Sequence, residues 1–471
     1  MRMKALQRVA LLLLAALGLT VAGSAQRAGA AEARPNFLVV LVDDLGYGDF
    51  SCYGSTRTKT PNVDRLAQEG LRFTQFYVSS PICSPSRCAL MTGQYPARWR
   101  ITSYIDNRAL NEQRGMAQFL DLKAPTLARS LSRAGYATGH FGKWHLGGGR
   151  DVGEAPLITE YGFDRSLTQF EGLGDRVLPL LDAHDGQSAP KMPLGLASEK
   201  LGRGTVTWQD RCQVTRSFAE RAVDFMKQAE RDGKPFYVNV WPDDVHSPFF
   251  PPAELRGDGS KAALYSGVLS NMDRQLGPLF DYVRQSPKLS KNTVIVLLSD
   301  NGPEAGAGTA ADLRGSKGQL YEGGVREPLI VWAPGLMPAA KLGTTNETSV
   351  LSSVDLVPSL LRLSGARGDE GLGADGIELS DTLLGKAAGT RTKPLFWKRP
   401  PDRPGPPRNR LPDLAVRDGN WKLLVMADGS GTQLYDLATD RAESRNLAAE
   451  HPEIAERLRK AVLDWNGTLP K

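Results

Sequence analysis

Near its amino terminus the chain reads Asn36-Phe-Leu-Val-Val-Leu-Val-Asp-Asp44, six apolar residues in a row that end in two acids. A continuous apolar run without polar alternation predicts a strand that is buried on both faces, as in a parallel sheet. In such sheets ligands gather beyond the carboxyl ends of the strands. The two acids therefore mark one edge of the predicted sheet as a candidate site.

Strands and helices alternate along most of the chain. Further apolar runs predict strands at 235–241, 293–298 and 329–332. One helical pattern begins at Thr60-Pro61, and another begins at Thr126 and ends at Gly135. Two more helical patterns cover 214–230 and 268–283. This alternation predicts an α/β sheet with helices on both faces. His246 and Asp300-Asn301 also follow strands, so we expect them at the same edge as the first acids.

The remaining segments divide the chain. The segment 147–210 is rich in Gly, Pro and acids and predicts irregular surface loops. Residues 398–412 are rich in Pro and Arg and predict a linker between a large domain (34–397) and a small carboxyl-terminal one (413–471). In the small domain, 415–425 and 433–436 predict antiparallel strands and 452–465 a terminal helix, so we expect an α+β subdomain.

Residues 1–33 resemble an export signal. Arg2, Lys4 and Arg8 precede an apolar run over 10–23, and small residues follow at 28–33. This order predicts a Sec-type signal peptide cleaved near 30–33, and hence a periplasmic or secreted protein. The alternative is a membrane anchor, but the run is short for a span of about 20 residues. We expect no membrane association after cleavage.

The charge excludes one class of partner. The formal net charge is +6, and the first 33 residues hold four basic residues and one acid, which leaves +3 for the mature chain. This balance gives no nucleic-acid-binding footprint, although a local basic pocket for an anion remains compatible with it. Four cysteines, Cys52, Cys83, Cys88 and Cys212, match no zinc spacing.

Three motifs are more specific than these general properties. They read Pro81-Ile-Cys83-Ser-Pro85-Ser-Arg87-Cys-Ala-Leu-Met-Thr-Gly93, Gly135-Tyr-Ala-Thr-Gly-His-Phe-Gly142-Lys143-Trp144-His145, and Arg314-Gly-Ser-Lys317-Gly-Gln-Leu-Tyr-Glu322-Gly-Gly-Val-Arg326-Glu-Pro328. Together they resemble the signatures of the type I, formylglycine-dependent sulfatases, in particular those similar to arylsulfatase A and N-acetylgalactosamine-6-sulfatase. Phe141 departs from the smaller aliphatic residue usual in that family. Without the resemblance, Cys83 reads as a structural cysteine before a helix.

The resemblance implies a fold and a chemistry. The fold is alkaline-phosphatase-like, a mixed and mostly parallel sheet between helices. A maturation enzyme oxidises Cys83 to Cα-formylglycine, whose hydrate attacks sulfur with one hydroxyl and later expels sulfate through the other. With Cys83 consumed in this way, the remaining cysteines allow at most one internal disulfide.

The resemblance also implies roles for individual residues. Lys143 binds the sulfate, and His145 deprotonates the second hydroxyl. Lys317 and His246 assist the leaving group, and Arg87 holds the nucleophile and the sulfate. The metal ligands are Asp43, Asp44, Asp300, Asn301 and a hydroxyl of hydrated residue 83. Oxygen ligands favour calcium, with magnesium as runner-up, and the lack of a Cys/His set argues against zinc.

Two other functions remain open at this point. One is a phosphonate monoester or phosphodiester hydrolase of the same superfamily. The other is a non-catalytic protein that binds sulfated glycans, which would follow if Cys83 stayed unmodified. The substrate is a sulfated carbohydrate or an aryl sulfate, and we expect the 147–210 segment and the carboxyl-terminal subdomain to shape that choice. His140, His184 and His451 belong to no motif and are interpreted as structural or surface residues.

Overall fold

A computed structural model describes residues 34–181, 192–399 and 411–470. The predicted signal peptide, His184 and most of the predicted linker lie outside these residues. Within them, no helix is both long and apolar enough to cross a membrane. No disulfide joins any of the four cysteines, all of which lie in the described residues.

The central layer of the fold is a nine-stranded sheet in the order β11-β2-β10-β9-β1-β8-β3-β4, with β12 paired to β2. All its neighbouring pairs are parallel except those of β10 with β2 and β9. The strands of the described residues are β1 (Asn36–Val42), β2 (Leu71–Tyr77), β3 (Ala137–Gly142), β4 (Arg165–Leu167), β5 (Arg176–Leu181), β6 (Met192–Pro193), β7 (Val206–Asp210), β8 (Phe236–Trp241), β9 (Thr293–Ser299), β10 (Arg326–Trp332), β11 (Thr344–Asn346), β12 (Leu351–Ser352), β13 (Leu395–Lys398), β14 (Leu414–Asp418), β15 (Trp421–Val425) and β16 (Gln433–Asp436).

Helices cover both faces of this sheet. They are α1 (Pro61–Glu69), α2 (Cys83–Thr92), α3 (Arg108–Gln113), α4 (Leu127–Arg133), α5 (Leu196–Glu199), α6 (Val214–Arg231), α7 (Lys261–Gln285), α8 (Glu322–Val325), α9 (Ser353–Ser364), α10 (Ser380–Leu383) and α11 (Pro452–Gly467). The alternation of β1 places Phe37 and Leu41 in one hydrophobic cluster, with α2, α4 and α9. Leu38 and Val42 lie in a second cluster, with α1, α6 and α7. The predicted α/β class and two-sided covering are therefore confirmed.

The largest error in a helix boundary concerns α7. This helix begins at Lys261, seven residues before the predicted start, because the Ser260 hydroxyl accepts a hydrogen bond from the backbone N–H of Ala263. It also caps α1, since the carboxylate of Asp273 accepts from the backbone N–H of Val63 at 2.9 Å. Thr60 occupies the predicted N-cap position but makes no side-chain cap bond to the helix backbone.

The prediction that 147–210 is irregular is wrong in part. Strand β4 extends the central sheet, and β5, β6 and β7 form a separate three-stranded sheet, in which β5 and β7 pair in parallel. Burial of Val177, Leu178 and Leu181 stabilises β5. The sequence did not predict β5, because Pro179 interrupts its short run of apolar residues. The segment therefore forms a defined layer beside the central sheet.

The carboxyl-terminal strands form an antiparallel sheet in the order β13-β14-β15-β16, and α11 packs on one of its faces. Strand β13 precedes the predicted linker in sequence and joins this sheet by pairing with β14. The opposite face contributes Ala415, Leu424 and Tyr435 to the main hydrophobic cluster. The small sheet is thus part of the same core as the large one.

A buried charge cluster ties the two sheets together. The Lys422 ammonium lies 2.9 Å from a Glu322 oxygen and 3.1 Å from a Glu443 oxygen, and all three side chains are fully buried. The Tyr77 hydroxyl donates to Glu322 at 2.6 Å. Although burial alone would raise it, Lys422 and Arg326 lower the pKa of Glu322 to about 2. Burial raises the pKa of Glu443 to about 7.

We expect Lys422→Met to lower the free energy of unfolding by about 3–5 kcal/mol, because Glu443 would stay buried without its cation and Glu322 would keep only Arg326. Urea denaturation followed by circular dichroism measures this change. Lys460→Met is the matched control, since its ammonium pairs with Asp464 on the exposed face of α11 and its loss should leave the midpoint almost unchanged. A Lys422→Met protein as stable as the parent would show that the cluster contributes nothing to stability.

Candidate active site

The predicted site residues come together at one edge of the central sheet. Asp43-Asp44 follows β1, Lys143 follows β3, His246 follows β8 and Asp300-Asn301 follows β9. These four strands are neighbours and run parallel, so their carboxyl ends meet at this edge. Cys83 is the first residue of α2 and completes the group.

Three buried carboxylates form the centre of the site. Asp43, Asp44 and Asp300 each offer an oxygen within 4.8 Å of the others. Asn301 donates from Nδ2 to Asp44 at 2.8 Å, and its Oδ1 has no hydrogen-bond partner among the described residues. Three carboxylates at this spacing, with the Asn301 amide beside Asp44, fit a hard cation such as calcium. This donor set agrees with the ligands named from the sequence.

Three cations surround the carboxylates. Arg87 Nη2 lies 3.1 Å from Asp43 and 2.8 Å from Asp300, while Lys143 contacts Asp43 and Lys317 contacts Asp44, each at 2.5 Å. Although burial opposes it, Lys143 and Arg87 lower the pKa of Asp43 well below its usual range. Burial and the Asp43 charge raise the pKa of Asp300 well above its usual range.

Arg87 lies behind the cavity, where its side chain is fully buried. Its Nη1 donates to the Lys143 carbonyl at 2.7 Å, and its guanidinium stacks 5.3 Å from the centre of the Trp241 ring. These contacts fix the two carboxylates and the strand end that carries Lys143. In this structure Arg87 therefore positions other site residues.

The thiol of Cys83 is a poor nucleophile as it stands. Its side chain is buried, and burial together with Asp43 raises its pKa despite the nearby Lys143 and Lys317. A thiol reacts through its thiolate, and this environment disfavours the thiolate.

A second potential metal set was missed. Asp43, Cys83 and His246 also bring ligand atoms within 4.8 Å of one another. The prediction that the site lacks a Cys/His set is therefore wrong as long as Cys83 is unmodified. Zinc takes such ligands. The sequence alone did not predict this set of ligands, because the three residues lie on separate segments of the chain.

His145 is held in one tautomer. Its Nε2 lies 3.0 Å from the Ile105 carbonyl, which only accepts, so Nε2 carries the hydrogen. Its Nδ1 is buried with no hydrogen-bond partner among the described residues, and it holds the lone pair of a base. Burial, Lys143 and Arg87 keep the pKa of this imidazole well below its usual range, which favours the neutral form.

Three non-glycine residues of the site have left-handed backbones. The φ angles are 61° at Asp44, 54° at His145 and 57° at Arg150. Such conformations are uncommon outside glycine and collect at functional sites. Gly142 has a φ of 127°, and a β-carbon there would lie 2.2 Å from the Trp241 carbonyl, so the close approach of β3 to β8 requires glycine.

The site opens into a cavity of about 490 Å³. Its floor contains Cys83, Lys143, His145, His246 and Lys317, the residues predicted from the motifs. Its wall contains Asp243, three residues before His246, and residues that no motif covers, among them Tyr104, Arg150, Gln169, Phe170, Glu171, Leu194, Arg211 and Glu304.

Glu171 is the most closely involved of the residues that the sequence missed. Its Oε2 lies 3.5 Å from His145 Nε2, and its Oε1 lies 3.0 Å from Arg150. It belongs to the 147–210 segment, which was expected to shape the choice of substrate. Only its proximity to His145 in space gives a functional signal, since Glu171 stands in no motif.

Known proteins are similar to this chain in sequence and in fold. The family model described as Sulfatase matches residues 35–366. Human arylsulfatase A is 32% identical over 93% of this chain and 89% of its own length. The N-acetylgalactosamine-6-O-sulfatase of Bacteroides thetaiotaomicron is 28% identical over 90% of this chain and 92% of its own. The crystal structure of the PsFucS1 sulfatase from Pseudoalteromonas sp. superposes with a TM-score of 0.70 at 25% identity, covering 92% of this chain and 90% of that one.

Proposed function

Since the chain belongs to the sulfatase family and is a sulfuric ester hydrolase, we propose that it removes sulfate from sulfated carbohydrates through a formylglycine made from Cys83, with calcium as its metal. The observation that carries this proposal is the position of Cys83. It lies in the cavity floor, with the carboxylates Asp43 and Asp44 and the ammonium groups of Lys143 and Lys317 around it.

Asp43, Asp44, Asp300 and Asn301 are the residues that would hold calcium, together with residue 83. The ion supplies positive charge to the oxygens of the sulfate group. Arg87 holds Asp43 and Asp300 in place, and its charge keeps these buried carboxylates together. We prefer calcium to zinc for the matured protein, because all of these ligands offer oxygen.

Hydrated formylglycine supplies a hydroxyl that attacks sulfur and a second hydroxyl whose deprotonation releases sulfate. His145 is the base for that proton. Its Nδ1 lone pair is available because the Ile105 carbonyl fixes the hydrogen on Nε2. Glu171 and Ile105 together hold the ring in place.

Lys143 and Lys317 would bind the charged sulfate oxygens. Although burial opposes it, nearby carboxylates raise the pKa of both ammonium groups, so both stay charged. Charge placed where charge develops stabilises the transition state. His246 is about one-third exposed, and its Nδ1 lies 2.7 Å from the Ser247 carbonyl, so Nε2 faces the reaction centre. We assign Lys317 and His246 to the leaving-group oxygen.

Two features support a carbohydrate substrate. One relative is named for removing the 6-O-sulfate of N-acetylgalactosamine. The cavity wall also offers aromatic and polar side chains beyond the sulfate-binding floor.

The amino-terminal pattern favours export of the protein to the periplasm or the medium.

A side-by-side turnover assay tests the reaction class. With 4-nitrophenyl sulfate, bis(4-nitrophenyl) phosphate and an aryl phosphonate monoester, we expect kcat/KM to be at least about 100-fold higher for the sulfate. A preference for either phosphorus ester would assign the protein to the other hydrolases of the superfamily. Binding of sulfated glycans without any turnover, in protein whose Cys83 stays a thiol even when it is made with a competent maturation enzyme, would instead identify a binding protein.

A further inference from the structure

The wall of the cavity contains an ion pair that the reaction itself does not use. Arg211 donates from Nη1 to Asp243 Oδ1 at 2.8 Å and from Nη2 to the Asp243 carbonyl. Gln169 donates to the other carboxylate oxygen of Asp243 at 3.1 Å. Both charged side chains are only 6% exposed, yet both line the cavity.

The pair is rigid and has hydrogen-bonding capacity left over. The Gln169 amide is itself fixed, because its Oε1 accepts from the backbone N–H of Glu171 at 2.5 Å. A carboxylate has about four lone-pair sites and a guanidinium has five N–H donors. Asp243 therefore keeps acceptor sites, and Arg211 keeps N–H donors, that a ligand could use. A buried ion pair is weak evidence for stability, which leaves ligand recognition as the better reason for its position.

The rest of the described wall is balanced in charge. Arg150 lies 3.0 Å from Glu171 and 3.5 Å from Asp106. Glu304 lies 2.7 Å from Lys261. In the described part of the wall each cation is therefore matched by a carboxylate. In the floor the partners of Lys143 and Lys317 are Asp43 and Asp44, which are also the carboxylates that would bind calcium. A second anionic group on the substrate would find no unmatched cation in the described wall, whereas hydroxyl groups suit paired donors and acceptors.

We propose that Asp243 and Arg211, held by Gln169, form a subsite that binds the hydroxyl groups of the leaving sugar, and that the preferred substrate is an otherwise neutral sugar residue with one sulfate ester. Phe170 and Tyr104 in the same wall offer aromatic surface to the apolar face of a sugar ring. The inference rests on the proposed function, because it assigns the alcohol half of that substrate.

The test compares wild type with Asp243→Asn on three substrates: a neutral hexosamine with one sulfate ester, a glucosamine N,O-disulfate, and 4-nitrophenyl sulfate. In wild type, kcat/KM should be at least about 10-fold higher for the monosulfated than for the disulfated sugar. In Asp243→Asn it should fall about 10- to 100-fold for the monosulfated sugar and by about 3-fold or less for the aryl sulfate. The preference for the monosulfated sugar should shrink, since the variant leaves the Arg211 charge unmatched.

Asp244→Asn is the matched control. This neighbouring carboxylate is equally buried, bonds to the Thr215 hydroxyl and does not line the cavity. We expect its kcat/KM values to keep the wild-type ratios between the three substrates. An equal fall for all three substrates in Asp243→Asn would show a merely structural role and overturn the subsite.

Two results separate this inference from the proposed function. If wild type hydrolyses 4-nitrophenyl sulfate but prefers the disulfated sugar, the subsite assignment fails and the sulfatase proposal stands. If it hydrolyses no sulfate ester, the proposed function fails, and calorimetric binding of the desulfated hexosamine then decides the subsite. Binding that weakens about 10-fold in Asp243→Asn and not in Asp244→Asn supports it, and equal or absent binding overturns it.

Discussion

Replacing Cys83 by alanine is expected to abolish sulfate ester hydrolysis, a fall on the order of 10⁴-fold or more, because no other residue of the floor supplies the same nucleophile. Turnover of 4-nitrophenyl sulfate measures the loss. Cys83→Ser should turn over at most once and stay sulfated, since a plain ester has no second hydroxyl through which to expel sulfate. Stoichiometric release of 4-nitrophenol followed by no further turnover is its expected trace.

Mass spectrometry supplies the independent readout for residue 83. The peptide that spans Cys83 should show the mass lost when CH₂–SH becomes CHO, and aldehyde reagents should label it. Cys88→Ala is the matched control, because Cys88 is equally buried on the same helix but lies outside the cavity lining. Fully active protein whose Cys83 remained a thiol would overturn the mechanism.

Loss of the metal is expected to lower kcat/KM by at least about 100-fold, whether by chelation or by Asp300→Asn. The chelated protein should regain activity with calcium and much less with zinc. Asp300→Asn is preferred to alanine because Arg87 donates two hydrogen bonds to Asp300, and a shorter side chain would leave that guanidinium buried without a partner. Elemental analysis should find less calcium in the variant.

The control for Asp300 is an exposed carboxylate. Asp312 pairs with Arg441 on the surface, so Asp312→Asn should retain both calcium and activity. Circular dichroism shows whether Asp300→Asn is folded. A folded Asp300→Asn protein with wild-type metal content and turnover would remove Asp300 from the ligand set.

The sequence was sufficient to predict the residues that lie at strand ends. The apolar run before Asp43 predicted β1, and the acids after β1 and β9 were expected to meet because the sheet was expected to be parallel. Local patterns carry this kind of information, since a strand and the residue after it are neighbours in the chain. The floor residues Cys83, Lys143, His145 and Lys317 were predicted differently, from the motifs that resemble those of a known family.

The wall of the cavity was not predictable in this way. Gln169 and Glu171 lie between the three-residue strand β4 and strand β5, and Arg211 directly follows β7, so no long periodic pattern in the sequence predicts their positions. Their partners, His145 and Asp243, lie tens of residues away in the chain. Contacts of this kind depend on tertiary packing, which one sequence does not reveal.

The burial of α2 sets a time limit on maturation. All ten residues of this helix are buried, including Cys83, Pro85 and Arg87 of the motif by which a maturation enzyme would recognise the chain. Once the sheet and helices have packed, that enzyme has no access to either the thiol or the residues beside it. Under the proposed function, oxidation of Cys83 would therefore have to occur while the segment is still extended. A chain that folded first would stay in the thiol form, so the yield of active enzyme would depend on the relative rates of oxidation and folding rather than on equilibrium.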